Sequence, residues 1–206
     1  MPDEKARPEG RRQRKGAARR EAILDAALSE FTTEGYARAR MEDIARRAGV
    51  AKGTLFLYFK DKEGLFIGLA ESALLPLHAR AQEIMADDTL PLREKLLRVY
   101  APMTEAQGCT RSAAIIRLLW AEGLHNPALA GTFYRNLLAP IVALHRETVR
   151  RAAPEEAHPA LRAFPQLLMS PIIHGQLWQG MFRETDPLDI EGMFRAYLDM
   201  VLPEKP

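Results

Sequence analysis

The 206-residue sequence predicts an all-α protein, an N-terminal three-helix helix-turn-helix unit followed by a larger helical domain, about nine helices in total. Three observations carry this expectation. Apolar residues recur at helical spacing from about residue 17, three and four apart, as an amphipathic helix requires. Asn126-Pro127 and Asp186-Pro187 set a capping side chain directly ahead of a proline, a pairing that starts helices. No segment shows the strict alternation of a half-buried strand.

Taken in order, Ile23, Leu24, Ala27, Leu28 and Phe31 line one face of a first helix, and Gly35 stands where a left-handed C-cap is expected. Met41, Ile44, Ala45 and Ala48 form a shorter second stripe ended by Gly49, and a third helix covers about Lys52–Phe59. Asp61 is the expected N-cap of a fourth helix from Lys62 to about Ala86, kinked by Pro76. Pro91 lies in the first turn of a fifth that reaches about Ala106, and a sixth covers Thr110–Gly123. The helix opened by Asn126-Pro127 runs to Ala152 with a bend at Pro140. Residues 154–159, with Pro154, His158 and Pro159, read as a loop, and two last helices follow at about 160–183 and 187–202.

Charge divides the chain where the helix pattern changes. Residues 1–62 hold 15 Lys/Arg and 10 Asp/Glu, whereas residues 63–206 hold 14 and 17. The first 20 residues alone carry 8 basic and 3 acidic side chains, so residues 1–16 read as a basic flexible arm. Two roles are open to such an arm, contact with a polyanion or plain solvation. The single Cys109 excludes an internal disulfide and a Cys-rich zinc site. No apolar run approaches the roughly 18–20 residues of a membrane span, and the N-terminus lacks the apolar core of a secretory signal, so a cytoplasmic protein is expected. There is no Gly-rich phosphate loop, His-Glu-x-x-His or Cys-x-x-Cys. No catalytic residue, metal ligand or cofactor is therefore predicted.

The two short helices, Met41–Gly49 and Ala51–Phe59, joined at Ala48-Gly49-Val50, suit a helix-turn-helix, in which Gly accepts the positive φ of the turn. In that motif the second helix enters the major groove of DNA. It begins Ala51-Lys52-Gly53-Thr54, small or polar side chains that permit close approach. Gly53 weakens an isolated helix by about 1 kcal/mol relative to Ala, and contact with a bulky partner is a reason to keep it. Tyr58 has two open roles, packing at the surface or donating its hydroxyl to a phosphate. Lys60 and Lys62 sit at the start of the fourth helix, where a cation opposes the helix dipole unless a phosphate occupies that end.

Gly35-Tyr36, Met41-Glu42-Asp43-Ile44-Ala45, Ala48-Gly49-Val50, Lys52-Gly53-Thr54-Leu55, Tyr58-Phe59 and Lys62-Glu63 resemble the TetR/AcrR family of transcriptional regulators, in order and at the family's spacing over about residues 17–68. The resemblance implies that residues 17–61 bind DNA. It also implies that residues 62–206 hold a ligand and the dimer contact, with the last two helices packing across a two-fold axis. Carried over position by position, the DNA-contacting set is Lys52, Gly53, Thr54, Tyr58, Lys60 and Lys62, with Arg40 as an added candidate. Three positions depart from the family pattern. Arg40 replaces a capping Ser or Thr and is free to reach a phosphate or a base. Ala51 and Phe56 remove two hydroxyls that the family often offers to phosphates.

The larger domain names no ligand by itself. Candidate pocket residues are Met103, Arg117, Trp120, Phe133, Leu137, His174 and Trp178, with His125 and His145 as further polar groups. The aromatic and methionine side chains suit an apolar or aromatic molecule, and an inward-facing Arg117 would suit an anion. Candidate dimer-interface residues are Leu167, Ile172, Phe194 and Tyr197. The resulting expectation is a homodimeric, sequence-specific DNA-binding regulator, a repressor released from a palindromic double-stranded operator by a small-molecule effector. Its rivals are a non-specific architectural nucleic-acid-binding protein and an all-helical enzyme.

Overall fold

A computed structural model of the chain describes residues 6–104, 111–152 and 158–202. Cys109, the Thr110 helix start and Pro154 lie outside them. Every element among the described residues is helical, and the chain divides into two compact units, Met1–Leu69 and Ala70–Pro206.

In the first unit, α1 spans Ala6–Glu34. The helix thus begins well before the apolar spacing that starts near residue 17, and residues 6–16, expected as a flexible arm, are helical. The reason is composition: after Pro8, in the first turn where a missing N–H is harmless, residues 9–16 are Glu, Arg, Gln and Lys apart from Gly10 and Gly16. These are good helix formers with no apolar face for periodicity to detect. The apolar face of α1 is that of Ile23, Leu24, Ala27 and Phe31, all buried. α2 (Met41–Arg47) and α3 (Lys52–Tyr58) follow, and Gly49 takes φ 67° in the turn between them. Val50 N–H donates to the Ala45 carbonyl across that turn at 3.0 Å.

α4 runs Lys62–Ala86 through Pro76, and Asp61 caps it, its Oδ1 accepting the Gly64 N–H at 2.7 Å. Residues 62–69 of α4 belong to the first unit. Phe66 stacks against Phe31 and Tyr36, with ring centroids 5.6 and 5.0 Å away. Gly68 lets the Phe59 ring lie against α4, where a Cβ would stand 2.5 Å from Cε1.

The second unit contains the rest of α4, then α5 (Leu92–Thr104), α6 (Arg111–His125) and α7 (Pro127–Phe133). Asn126 caps α7 as its sequence announces, accepting the Leu129 N–H at 3.1 Å. The bend expected at Pro140 takes the form of a π turn over Tyr134–Leu138, ahead of α8 (Ala139–Arg151). Pro140 has no N–H for the carbonyl four residues back and its ring crowds that oxygen, so the turn before it widens.

The helix expected over 160–183 is three pieces: α9 (Pro159–Ala163), a 3-10 turn over Pro165–Met169, and α10 (Ser170–Phe182). Pro165 keeps Phe164 out of the helical region, at φ −132° and ψ 76°, which ends the first piece. The last helix, α11 (Ile190–Val201), starts at Asp189 rather than Asp186, because the Asp189 carboxylate reaches the Gly192 N–H at 2.9 Å. The carbonyl of Asp186 instead accepts the Trp178 indole N–H at 2.7 Å. Tyr100, Leu96, Leu161, Leu168, Ile172, Phe194 and Leu198 build the core of this unit.

Candidate functional site

α3 presents one face to the core and another to solvent. Leu55 and Phe59 are buried, whereas Ala51, Lys52, Gly53, Phe56 and Leu57 are exposed and Thr54 and Tyr58 are half-exposed. A Cβ on Gly53 would meet nothing within 4 Å, so no packing within the chain requires glycine there. Lys52 Nζ lies 2.5 Å from Glu42 Oε1 and 5.9 Å above the Phe56 ring. That hydrogen bond holds the Glu42 carboxyl below its usual range. Neither α2 nor α3 has a side-chain cap at its start, where Arg40 and Ala51 stand. Arg40 is exposed, as is Lys60.

Two members of the predicted contact set hold partners within the chain. Lys62 Nζ donates to the carbonyls of Tyr36, Ala37 and Ala39 at 2.7, 3.1 and 3.1 Å and sits 4.6 Å above the Tyr36 ring. Its ammonium therefore fastens the α1–α2 loop instead of offering its hydrogens to a phosphate. The Asp61 carboxylate, on Gly64 N–H, supplies the anion which that helix end favours. Tyr58 takes the packing role left open to it: its hydroxyl donates to the Gly16 carbonyl of α1 at 3.3 Å. Arg47 is likewise occupied, 3.1 Å from the buried Glu30.

In the second unit, a cavity of about 80 Å³ opens among α4, α5, α6, α8 and α10. Of the predicted pocket residues it is lined by Met103, Trp120 and Phe133, but not by Arg117, Leu137, His174 or Trp178. Leu138 takes the place of Leu137, since the π turn shifts the register by a residue. On α10 the lining face is Ile172, Ile173 and Gln176, continued by Met169 of the preceding 3-10 turn. His174, Trp178 and Phe182 form a separate stacked stripe on the same helix, with centroids 5.8 and 4.9 Å apart.

Arg117 stands behind Gln176, donating to its Oε1 at 3.3 Å, while Gln176 Nε2 donates to the Met103 carbonyl at 2.6 Å. His145, a polar candidate of the sequence, lines the cavity; the polar groups that sequence reasoning did not assemble with it are His78, Tyr100 and Gln176. The i, i+3 spacing of Tyr100 and Met103 on α5 was the available signal for the second of these. Tyr100 Oη lies 2.8 Å from His145 Nε2. Burial, and secondarily the neighbouring His78, pushes the His145 pKa down to about 4. Burial first, then Tyr197, pushes the Tyr100 hydroxyl up.

Of the predicted interface residues, Ile172 and Phe194 are 3% and 1% exposed and serve the core of their own chain. Tyr197 and Leu167 are tied together, Tyr197 Oη donating to the Leu167 carbonyl at 2.9 Å. The apolar side chains that α10 and α11 leave outside are Leu177, Met181, Phe182 and Met200. Among the described residues no cluster of His, Cys, Asp or Glu is arranged for a metal ion, and no helix is long and apolar enough to cross a membrane.

Comparison with known proteins adds to this geometry. The family model described as bacterial regulatory proteins, tetR family, matches residues 23–69, the stretch from the apolar face of α1 to the first turns of α4. The uncharacterized HTH-type transcriptional regulator YhgD of Bacillus subtilis is 26% identical over 87% of this chain and 94% of its own. The HTH-type transcriptional regulator BetI of Paraburkholderia phytofirmans is 29% identical over 91% and 95%. In fold, the chain is similar to the transcriptional regulator FadR from Bacillus subtilis, solved in complex with stearoyl-CoA, with a TM-score of 0.71, 21% identity and coverage of 89% and 97%.

Proposed function

Because the chain belongs to the TetR family of bacterial regulatory proteins, a family of DNA-binding transcriptional regulators, we propose that it is a homodimeric repressor. In this reading it leaves a palindromic operator when a small apolar molecule enters the cavity of the Ala70–Pro206 unit. The observation that carries the reading is the unobstructed outer face of α3, with Lys52, Gly53 and Thr54, inside the segment that matches the family model. Residues 17–61 then form the DNA-binding part and residues 62–206 the effector and dimer part, with Phe66 of α4 completing the core of the former. Arg40 and Lys60 add charge toward the phosphates.

Two recognition helices related by a two-fold axis meet successive major grooves about 34–36 Å apart. Leu177, Met181, Phe182 and Met200 are the side chains we assign to the dimer face. α4 is continuous from Lys62 past His78. We assign it the coupling, which requires that the effector bind the DNA-free state more tightly than the DNA-bound state. A protein of this kind works where the chromosome is, in the cytoplasm.

The test is selection of bound sequences from a random duplex pool at two salt concentrations. A palindrome with half-sites about one turn apart is the expected result. Strongly salt-dependent binding with no enriched sequence would overturn it in favour of an architectural protein.

A further inference from the structure

We propose that the cavity of the Ala70–Pro206 unit selects an uncharged apolar molecule carrying one hydroxyl group, a phenol rather than a carboxylate, held between His145 and His78. The inference rests on the cavity being the effector site, as in the reading above. The polar groups of its lining are His78, Tyr100, His145 and Gln176; the rest is hydrocarbon and aromatic and excludes water. Tyr100 is buried and protonated, and His145 Nε2 at 2.8 Å is the acceptor its hydroxyl reaches among the described residues. With Nε2 accepting, the neutral ring carries its hydrogen on Nδ1. That atom is buried without a hydrogen-bond partner, and so is Nδ1 of His78, which lines the same cavity. A buried polar atom left unsatisfied in this way calls for an explanation. A hydroxyl is the simple group that accepts from one imidazole and donates to the other.

Charge argues in the same direction. Among the described residues the cavity is lined by no Lys or Arg. Arg117 stands outside the lining, its guanidinium donating to the Gln176 side-chain carbonyl oxygen. A carboxylate here would be buried without a fixed cation. It would have to protonate His145, whose burial resists the charge. Size sets the remaining requirement. The cavity, about 80 Å³, is smaller than the ~150 Å³ that takes up benzene in an apolar core. The ligand must therefore displace Met103 and Met169, unbranched side chains that repack readily.

The experiment is isothermal calorimetry on the full chain at pH 7, in two buffers of different ionisation enthalpy. The probes are 4-ethylphenol, 4-ethylanisole, ethylbenzene and 4-ethylbenzoate. The expected result is 4-ethylphenol binding about tenfold more tightly than each of the others, with no proton taken up. The double variant Tyr100→Phe with His145→Phe replaces both partners by rings of similar shape, and should keep ethylbenzene binding while losing the preference. His78→Leu, at a half-exposed position, should leave 4-ethylphenol no better than 4-ethylanisole. Tighter binding of 4-ethylbenzoate with uptake of one proton would overturn the proposal, as would equal binding of ethylbenzene or no binding of any probe. Operator release is read separately with the selected duplex. Phenol preference without release would support the cavity chemistry and sink the effector role, whereas a palindromic operator with no probe bound would do the reverse.

Discussion

In the Met1–Leu69 unit the buried polar groups answer one another. Glu30 meets Arg47, and the Lys62 ammonium meets three loop carbonyls. What is left open is the outside of α3. In the Ala70–Pro206 unit surface ions such as Glu147 pair with near neighbours, Arg150 and Arg151, and Nδ1 of His78 and of His145 are open groups inside. This contrast fits the proposed reading, in which one unit meets a large polyanion at its surface and the other takes a small molecule into its interior. The sharpest way to break this contrast is at Gly53. A Cβ there meets nothing within 4 Å in the free protein, and leucine improves helix propensity, stabilising the fold by up to about 1 kcal/mol. If DNA meets that face, Gly53→Leu lowers operator affinity about a hundredfold, since two or more base contacts are lost at ~1–3 kcal/mol each. Fluorescence anisotropy on the selected duplex, beside a thermal melt, separates the two effects, and unchanged affinity would remove α3 from the interface.

The same contrast explains what could be read in advance. Short-range signals were legible: Asp61, Asn126-Pro127 and Gly49 act within three or four residues of themselves, and they are found in their expected roles. The carbonyl partners of Lys62 could not be read because they lie 23 to 26 residues away, at a distance no local pattern reports. On α10 the amino-acid types suggested His174 and Trp178, while the cavity uses Ile172, Ile173 and Gln176. A helix rich in apolar residues all round has no single inward face to read. The π turn at Tyr134–Leu138 and the break at Pro165 moved the remaining positions by a residue or a turn.

The interior of the second unit should also respond to acid. His145 has a folded-state pKa of about 4 against an ordinary 6.5, so the unfolded chain binds the proton more readily. The stability linked to it is complete above about pH 6.5 and is lost as pH falls toward 4, by roughly 3 kcal/mol. Urea denaturation at pH 7 and pH 4.5 measures this. His145→Gln, which keeps a hydrogen-bonding partner for Tyr100 but does not titrate, should flatten that part of the profile. An unaltered profile would place the acid sensitivity elsewhere.

Lys62 offers a smaller effect of the opposite kind, a surface-unit residue whose role is structural. Lys62→Met should destabilise the chain by about 1–3 kcal/mol, because three carbonyls lose a charged donor. At temperatures where the variant stays folded, the salt slope of operator binding should be unchanged, whereas Lys60→Ala should reduce it by about one ion. A reduced slope for Lys62→Met would return its ammonium to the phosphates.

The smallest effect is the most discriminating, because stability and binding are expected to move in opposite directions. α4, α7 and α11 begin with Asp61, Asn126 and Asp189, each accepting a backbone N–H of its own first turn. α2 begins with Arg40, in the extended conformation of a capping residue, φ −115° and ψ 140°, yet its side chain caps nothing. Serine fits that backbone and satisfies one of the orphan donors, so Arg40→Ser should stabilise the chain by about 0.5–1 kcal/mol. The same change removes an exposed guanidinium from the edge of the helix-turn-helix. If that charge meets a phosphate, operator affinity falls and the salt slope drops by about one. A variant that gains stability and keeps both affinity and slope would show instead that Arg40 stands clear of the DNA, and that a cap was left out of α2 for no gain at the interface.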